Sequence, residues 1–136
     1  MLRRILLISV LAAAGCSGGD TPASPTPDSV DGVWRILSIQ PASQAVQTAP
    51  VGAQYQIGFE NARAFLRVDC NTCTGPFTLS GGTLTIGPAL ACTRAACSTA
   101  TYESAVVSML SGAHQMSATQ HNLTLTSSRG TVLLQR

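Results

Sequence analysis

The chain has no lysine and little charge of any kind. Eight arginines and six acidic residues account for 10% of its 136 residues. They do not cluster, and a chain without a basic stripe lacks the electrostatic footprint of a nucleic-acid binder. Arg3 and Arg4 belong to an N-terminal leader. Without them six arginines face six acids, a balance that also argues against electrostatic binding to a membrane surface. Aromatic residues are scarce, with one Trp, two Tyr and three Phe, so any core is mostly aliphatic and small. Such a core gains from cross-links. No Gly-x-Ser-x-Gly, His-Glu-x-x-His or phosphate-binding loop occurs. The sequence therefore offers no catalytic residue, metal site or cofactor site.

Long hydrophobic runs are missing too. Ile5 to Ala14 is an apolar run of ten broken only by Ser9, preceded by Arg3-Arg4. It is too short to span a bilayer and has the form of a signal-peptide core. It ends in Leu11-Ala12-Ala13-Ala14-Gly15-Cys16. Small residues directly before a cysteine resemble a bacterial lipobox, with Ala13 where Leu is commonest. Residues 1–15 then form a lipoprotein signal, and Cys16 is the lipidated first residue of the mature protein. Each buried methylene contributes about 0.8 kcal/mol, so an acylated Cys16 anchors the chain to a membrane. Ser17 at the next position suits the outer membrane, periplasmic face, of a bacterium with two membranes. Residues 17–31, SGGDTPASPTPDSVD, lack apolar periodicity and read as a Pro/Ser-rich tether. The folded domain is expected over residues 32–136.

The densest pattern lies between Asp69 and Cys97, which holds the other four cysteines. Phe77 and Leu79, then Leu84 and Ile86, alternate with small polar residues around Gly81-Gly82, which predicts a β-hairpin with one buried face. A chain folding back here would nest the cysteines, Cys70 opposite Cys97 and Cys73 opposite Cys92. Two structural disulfides suit an exported protein. A four-cysteine zinc site and a redox-active Cys-x-x-Cys are the alternatives. Cys-x-x-x-x-Cys is loose for zinc, and Thr74-Gly75-Pro76 predicts a turn where a redox motif would want a helix N-terminus. Closing a loop of about 28 residues with a disulfide contributes about 3–4 kcal/mol in the chain-entropy model.

Elsewhere, Val33 to Ile39 predicts a first strand, and Gln40 to Gly52 a long loop. Tyr55, Ile57 and Phe59 alternate with polar residues, predicting a strand over 54–60. After a turn at Asn61-Ala62, Arg63, Phe65 and Arg67 alternate with Ala64, Leu66 and Val68; either face can be the buried one, and the aliphatic face is the expected choice. Between Thr99 and Gly112 the period changes: Tyr102, Val106, Met109 and Leu110 share one helical face. Ser98 or Thr99 can cap this helix, Glu103 suits its first turn, and Gly112 can end it. Three short β-rich segments, 114–119, 123–126 and 131–135, follow. The sum is about eight short strands and one helix at about 99–112, a mainly β chain whose consecutive hairpins imply antiparallel pairing and a sheet closed, or nearly closed, on itself.

These pieces resemble the META domain family, also called HslJ-like. The resemblance rests on Trp34 with Ile36 and Ile39, Tyr55-Gln56-Ile57-Gly58-Phe59, Asp69-Cys70-Asn71-Thr72-Cys73-Thr74-Gly75, Leu84-Thr85-Ile86 and Ala91-Cys92-Thr93-Arg94-Ala95-Ala96-Cys97. Glu103 with Leu110, and Leu123-Thr124-Leu125, complete it. It implies a small antiparallel β-barrel or highly curved sheet, lipocalin-like in outline, with a helix packed on it. It also implies a bacterial envelope lipoprotein without an established catalytic mechanism. Many members have one cysteine in each signature piece, at the positions of Cys70 and Cys97. Cys73 and Cys92 are then a coordinated extra pair, which implies nested bridges.

Asn71 and Arg94 are the polar residues of this signature. Asn71 is expected to satisfy backbone groups or take positive φ, and Arg94 to pair with Asp69; both are also candidates to face a ligand or partner. His114 and His121, with Glu103 or Asp69, have no diagnostic spacing. The functional expectation is a non-enzymatic, envelope-tethered domain in stress tolerance or in binding an unknown protein or small ligand. The alternatives are a small-ligand-binding barrel mouth and a thiol-redox protein using Cys70 and Cys73.

Overall fold

In a strand, successive side chains point to opposite faces, so a strand that is apolar at every second position can form a wall around a core. The computed structural model describes residues 30–136, and the signal, Cys16 and most of the tether lie outside the described residues. Ten strands follow in order: β1 (Gly32–Pro41), β2 (Gln47–Thr48), β3 (Tyr55–Glu60), β4 (Arg63–Val68), β5 (Asn71–Ser80), β6 (Thr83–Ile86), β7 (Ala91–Cys92), β8 (Gly112–Ala118), β9 (Asn122–Ser127) and β10 (Gly130–Gln135). One helix, α1 (Ala100–Leu110), stands between β7 and β8. Eight strands pair antiparallel in the order β10-β9-β8-β6-β5-β4-β3-β1, and β1 pairs back onto β10, closing a barrel. The two-residue strands β2 and β7 add to β1 and β5 from outside this path. β2 lies within the stretch expected as a plain loop.

The interior is what the alternation foretold. Tyr55, Ile57 and Phe59 of β3 and Ala64, Leu66 and Val68 of β4 are buried, and the residues alternating with them face out. Trp34, Ile36, Ile39, Leu84, Ile86, Leu123, Leu125, Val132 and Leu134 fill the rest with at most 1% exposure. Closure needs close backbone approach where β10 begins. Gly130 has φ 131°, and a Cβ there would collide with the Gln40 carbonyl. A bulge at Leu37, between Ile36 and Ser38, bends β1 at the same seam.

β5 departs from expectation. Thr74-Gly75-Pro76 is not a turn but the middle of a ten-residue strand. Its first half pairs with β7 and its second half with β6. Pro76 sits where the partner changes, so its missing N–H interrupts no ladder. Gly75 faces inward, and a Cβ there would approach the Leu90 side chain to 2.8 Å. Its bareness admits the strap of residues 87–90.

α1 presents Tyr102, Val106, Met109 and Leu110 to the core, the face read from the sequence. It covers the barrel end formed by Tyr55, Val68 and Asn71. The opposite end is closed by residues at the two ends of the described range. Val30, expected in the tether, is fully buried, and its carbonyl accepts the Trp34 indole N–H at 2.8 Å. The Arg136 guanidinium stacks 3.8 Å from the Trp34 ring centroid and donates to the Asp31 carbonyl. The packed fold thus begins by Val30, two residues before Gly32.

Candidate functional site

After β6 the chain crosses the inward face of β5, runs beside it as β7, and enters α1. Two bonds hold this strap. Cys73 and Cys92 face each other in register across β5 and β7, with Cα atoms 4.0 Å apart, and are joined. Cys70, in the two-residue turn between β4 and β5, is joined to Cys97 with Cα atoms 5.8 Å apart. The bridges are nested. Each sulfur is committed to a partner other than its Cys-x-x-Cys neighbour, which removes the zinc and Cys70–Cys73 redox readings.

Asn71 stands between the bridges, 2% exposed, at the first position of β5. Its Oδ1 accepts the Ala95 N–H at 2.8 Å, and its Nδ2 donates to the Ala95 carbonyl at 3.0 Å. The side-chain amide therefore pairs with Ala95 as a strand residue would. Oδ1 also accepts the Thr93 hydroxyl at 2.9 Å, and Nδ2 reaches the Glu103 carboxylate at 2.9 Å in the first turn of α1. Only an amide carries both the donors and the acceptor that this arrangement uses. Asn71 satisfies backbone groups as expected, but with extended geometry; the positive φ, 58°, belongs to Asp69.

Beside it runs a second chain of polar contacts. The Thr99 hydroxyl donates to Asp69 Oδ2 at 2.6 Å, and the Tyr55 hydroxyl lies 2.6 Å from Thr99 Oγ1. Thr99 has one hydroxyl proton and gives it to Asp69, so Tyr55 donates to Thr99. Thr99 occupies the N-cap of α1 without a side-chain capping bond, and its oxygen accepts from Tyr55 instead. Burial raises the Tyr55 pKa, the hydrogen bond to Thr99 opposes it, and the Asp69 and Glu103 charges add to the rise. Tyr102 meets Tyr55 edge-on at 4.9 Å, and burial chiefly, with Tyr55, pushes its pKa up to about 12. Sequence reasoning missed Thr93, Thr99 and Tyr55 as polar partners. Thr93 and Thr99 had only their closeness in sequence to Cys92 and Cys97 as a signal, and Tyr55 had none.

The other candidates do not converge. Arg94 is exposed on the strap and makes no ion pair with Asp69, correcting that expectation. His114 is 1% exposed; its Nε2–H donates to the Leu110 carbonyl at the end of α1, and Nδ1 is buried without a partner among the described residues. Burial lowers its pKa, the Leu110 hydrogen bond opposes this, and Arg129 lowers it further. His121 lies exposed in the β8–β9 turn, away from Asp69 and Glu103.

A cleft lies on the outside of the barrel. It has a volume of about 780 Å³ and runs over β1, β3, β4 and β5, with Val33, Gly58 and Phe65 on its floor. Val33 is 59% and Phe65 44% exposed. Asp31 and Glu60 stand at one side and Arg67 at the other.

The family model described as META domain matches residues 28–136. A protein from Burkholderia xenovorans, solved by NMR, shares 21% identity at a TM-score of 0.64, covering 91% of this chain and 96% of that one. A second NMR structure shares 23% identity at 0.62, covering 82% and 94%. A lipocalin-like protein from Bacteroides uniformis, solved by crystallography, shares 13% at 0.53, covering 79% and 98%. At these identities the likeness shows the fold alone. No protein with a curated description matches the chain.

Proposed function

The chain belongs to the META domain family, and from that premise we propose that it is a non-enzymatic cell-envelope lipoprotein domain, held at a membrane by acylated Cys16 and working through its outer surface in envelope stress tolerance. The observation that carries this reading is the state of the barrel. Eight-stranded barrels can hold one small ligand inside. Here Trp34, Phe59, Ile57, Leu84, Leu110 and Leu125 fill the interior at no more than 1% exposure. α1 covers one end, and Val30, Trp34 and Arg136 cover the other. A lipocalin-like outline therefore comes without an open mouth for a small ligand. The polar cluster around Asn71 is turned inward and joined to the strap, which suits a structural duty better than chemistry. The exposure of Arg94, on a strap fixed by two bridges, supports a role for this signature residue toward a protein partner.

The anchoring is tested by fractionating cells that express the chain or its Cys16→Ser variant. Acylation predicts that the parent protein sediments with membranes, carries an acyl mass on the peptide beginning at Cys16, and becomes soluble on substitution. A variant that still sediments, or a Cys16 peptide of unmodified mass, overturns the lipoprotein reading. Disulfide mapping of envelope-derived protein supplies the compartment. Two intact bridges indicate an oxidising location, and free thiols at Cys70 and Cys73 place the chain elsewhere.

A further inference from the structure

We propose that the outer face of β1, β3 and β4 is a membrane-docking face that seats on anionic phospholipid headgroups. This rests on the lipid-anchored reading above. The balanced arginines and acids of the sequence argued against such a contact, but the sheet register sorts them. Arg35 lies opposite Gln56, Gln56 opposite Arg67, and Arg67 opposite Thr72, giving one cross-strand row with two arginines and no acid. Both arginines are exposed and make no ion pair among the described residues. The next outward row is Val33, Gly58, Phe65 and Thr74. Gly58 adds no side chain, so the two exposed apolar groups flank a notch, the floor of the 780 Å³ cleft. The acids of this face, Asp31 and Glu60, lie beyond the apolar row, where Arg63 stands opposite Glu60 and balances it, away from Arg35 and Arg67.

A cationic row beside an apolar row, about 7 Å apart at two residues per repeat, matches the boundary between phosphate and acyl chain. Arginine pairs with phosphate by fixed, forked hydrogen bonds, and an aromatic ring fits the headgroup level. A free anion would use only the first row. The chain's entry point selects the membrane as the source of that phosphate: Asp31 and Gly32 form the rim of this cleft. Cys16 precedes Val30 by fourteen residues, so a lipid on it lies within about 50 Å at full extension. Attachment at that distance raises the effective concentration of the bilayer, and contacts weak by themselves become sufficient.

The test uses the mature chain from Cys16, with Cys16 coupled chemically to a maleimide lipid in nanodiscs. Attachment is then independent of acylation in the cell, so failure here is distinct from failure of the anchoring reading, which the Cys16→Ser fractionation reports. With a paramagnetic headgroup lipid in phosphatidylglycerol discs, the amides of Val33, Gly58 and Phe65 are expected to relax at least threefold faster than those of Gln115 and Thr126 on the far wall. The asymmetry should fade in phosphatidylcholine discs and at high salt. Each of Arg35→Gln and Arg67→Gln should reduce the docked-to-undocked ratio about fivefold, and Phe65→Ser should reduce it too, with the amide spectra showing the fold intact. Equal relaxation of both walls overturns the proposal, as does an asymmetry indifferent to the arginines. Relaxation that grows with the number of protein copies per disc would mean a second copy on this face, and also overturns it.

Discussion

The two ends of the barrel are sealed by different physics. One is closed by residues from the extremities of the fold, Val30, Trp34 and Arg136, through burial, one indole hydrogen bond and a cation over a ring. The other is closed by a mid-chain strap and helix, through two covalent bridges and the amide of Asn71. The first seal consists of separable contacts, each of modest strength. The second is over-determined, because bridges, ladder and hydrogen bonds all fix the same backbone. A thin aliphatic core accounts for the need: where few large side chains are available, cross-links substitute for buried area.

The largest break in this comparison is removal of both bridges. The loops span 27 and 19 residues in sequence, and because they are nested their effects do not simply add. Replacing all four cysteines by serine should cost about 5 kcal/mol, enough to unfold many small domains at 37 °C. Chemical unfolding with and without reductant measures it. Hydrogen exchange should rise at β7 and the start of α1 before it rises at β1 and β10. Next comes Asn71→Ala. It strips partners from the Ala95 N–H and carbonyl, the Thr93 hydroxyl and one side of Glu103, at about 3 kcal/mol, with both bridges still formed by mass spectrometry. A variant as stable as the parent would show that the bridges alone hold the strap.

The pH response belongs to the same end. Burial depresses the folded-state pKa of His114 below its unfolded value of 6.5. Between those two values the unfolded chain holds more protons, so stability is full above about pH 6.5 and falls as pH drops below it, until the folded-state pKa is passed. Melting temperatures from pH 8 to 5 should show this decline, and His114→Gln should flatten it. The smallest effect is expected at the opposite seal. Arg136→Ala removes the guanidinium from Trp34 and the bond to Asp31, at about 1 kcal/mol, with faster exchange at the Trp34 indole and no change in the strap.

Much of the wall was legible. The buried faces of β3, β4 and α1 followed from periods of two and near 3.6, since those patterns report which side meets water. The nested bridges were implied by family resemblance rather than by spacing alone. Other features were not readable because they depend on what lies opposite. Thr74-Gly75-Pro76 has turn chemistry, yet it is strand, because β5 changes partners at Pro76 and Leu90 occupies the space above Gly75. Thr99 looks like a helix cap, yet its oxygen meets the Tyr55 hydroxyl and its proton goes to Asp69. Val30 looks like tether, yet Trp34 buries it. Arg94 has Asp69 as a plausible partner in sequence, yet the strap turns it outward.

The amino-acid order by itself determined which residues face inward, how many strands the wall needs and that cysteines would reinforce a small aliphatic core. Each of these follows from local periodicity and composition, and water reads them residue by residue. Only the tertiary structure decided that the ends are shut, that Asn71 completes a ladder with Ala95, and that Arg35 and Arg67 share a row beside Val33 and Phe65. Those outcomes depend on strand register and barrel closure, which bring together residues tens of positions apart, and no window of sequence contains both partners.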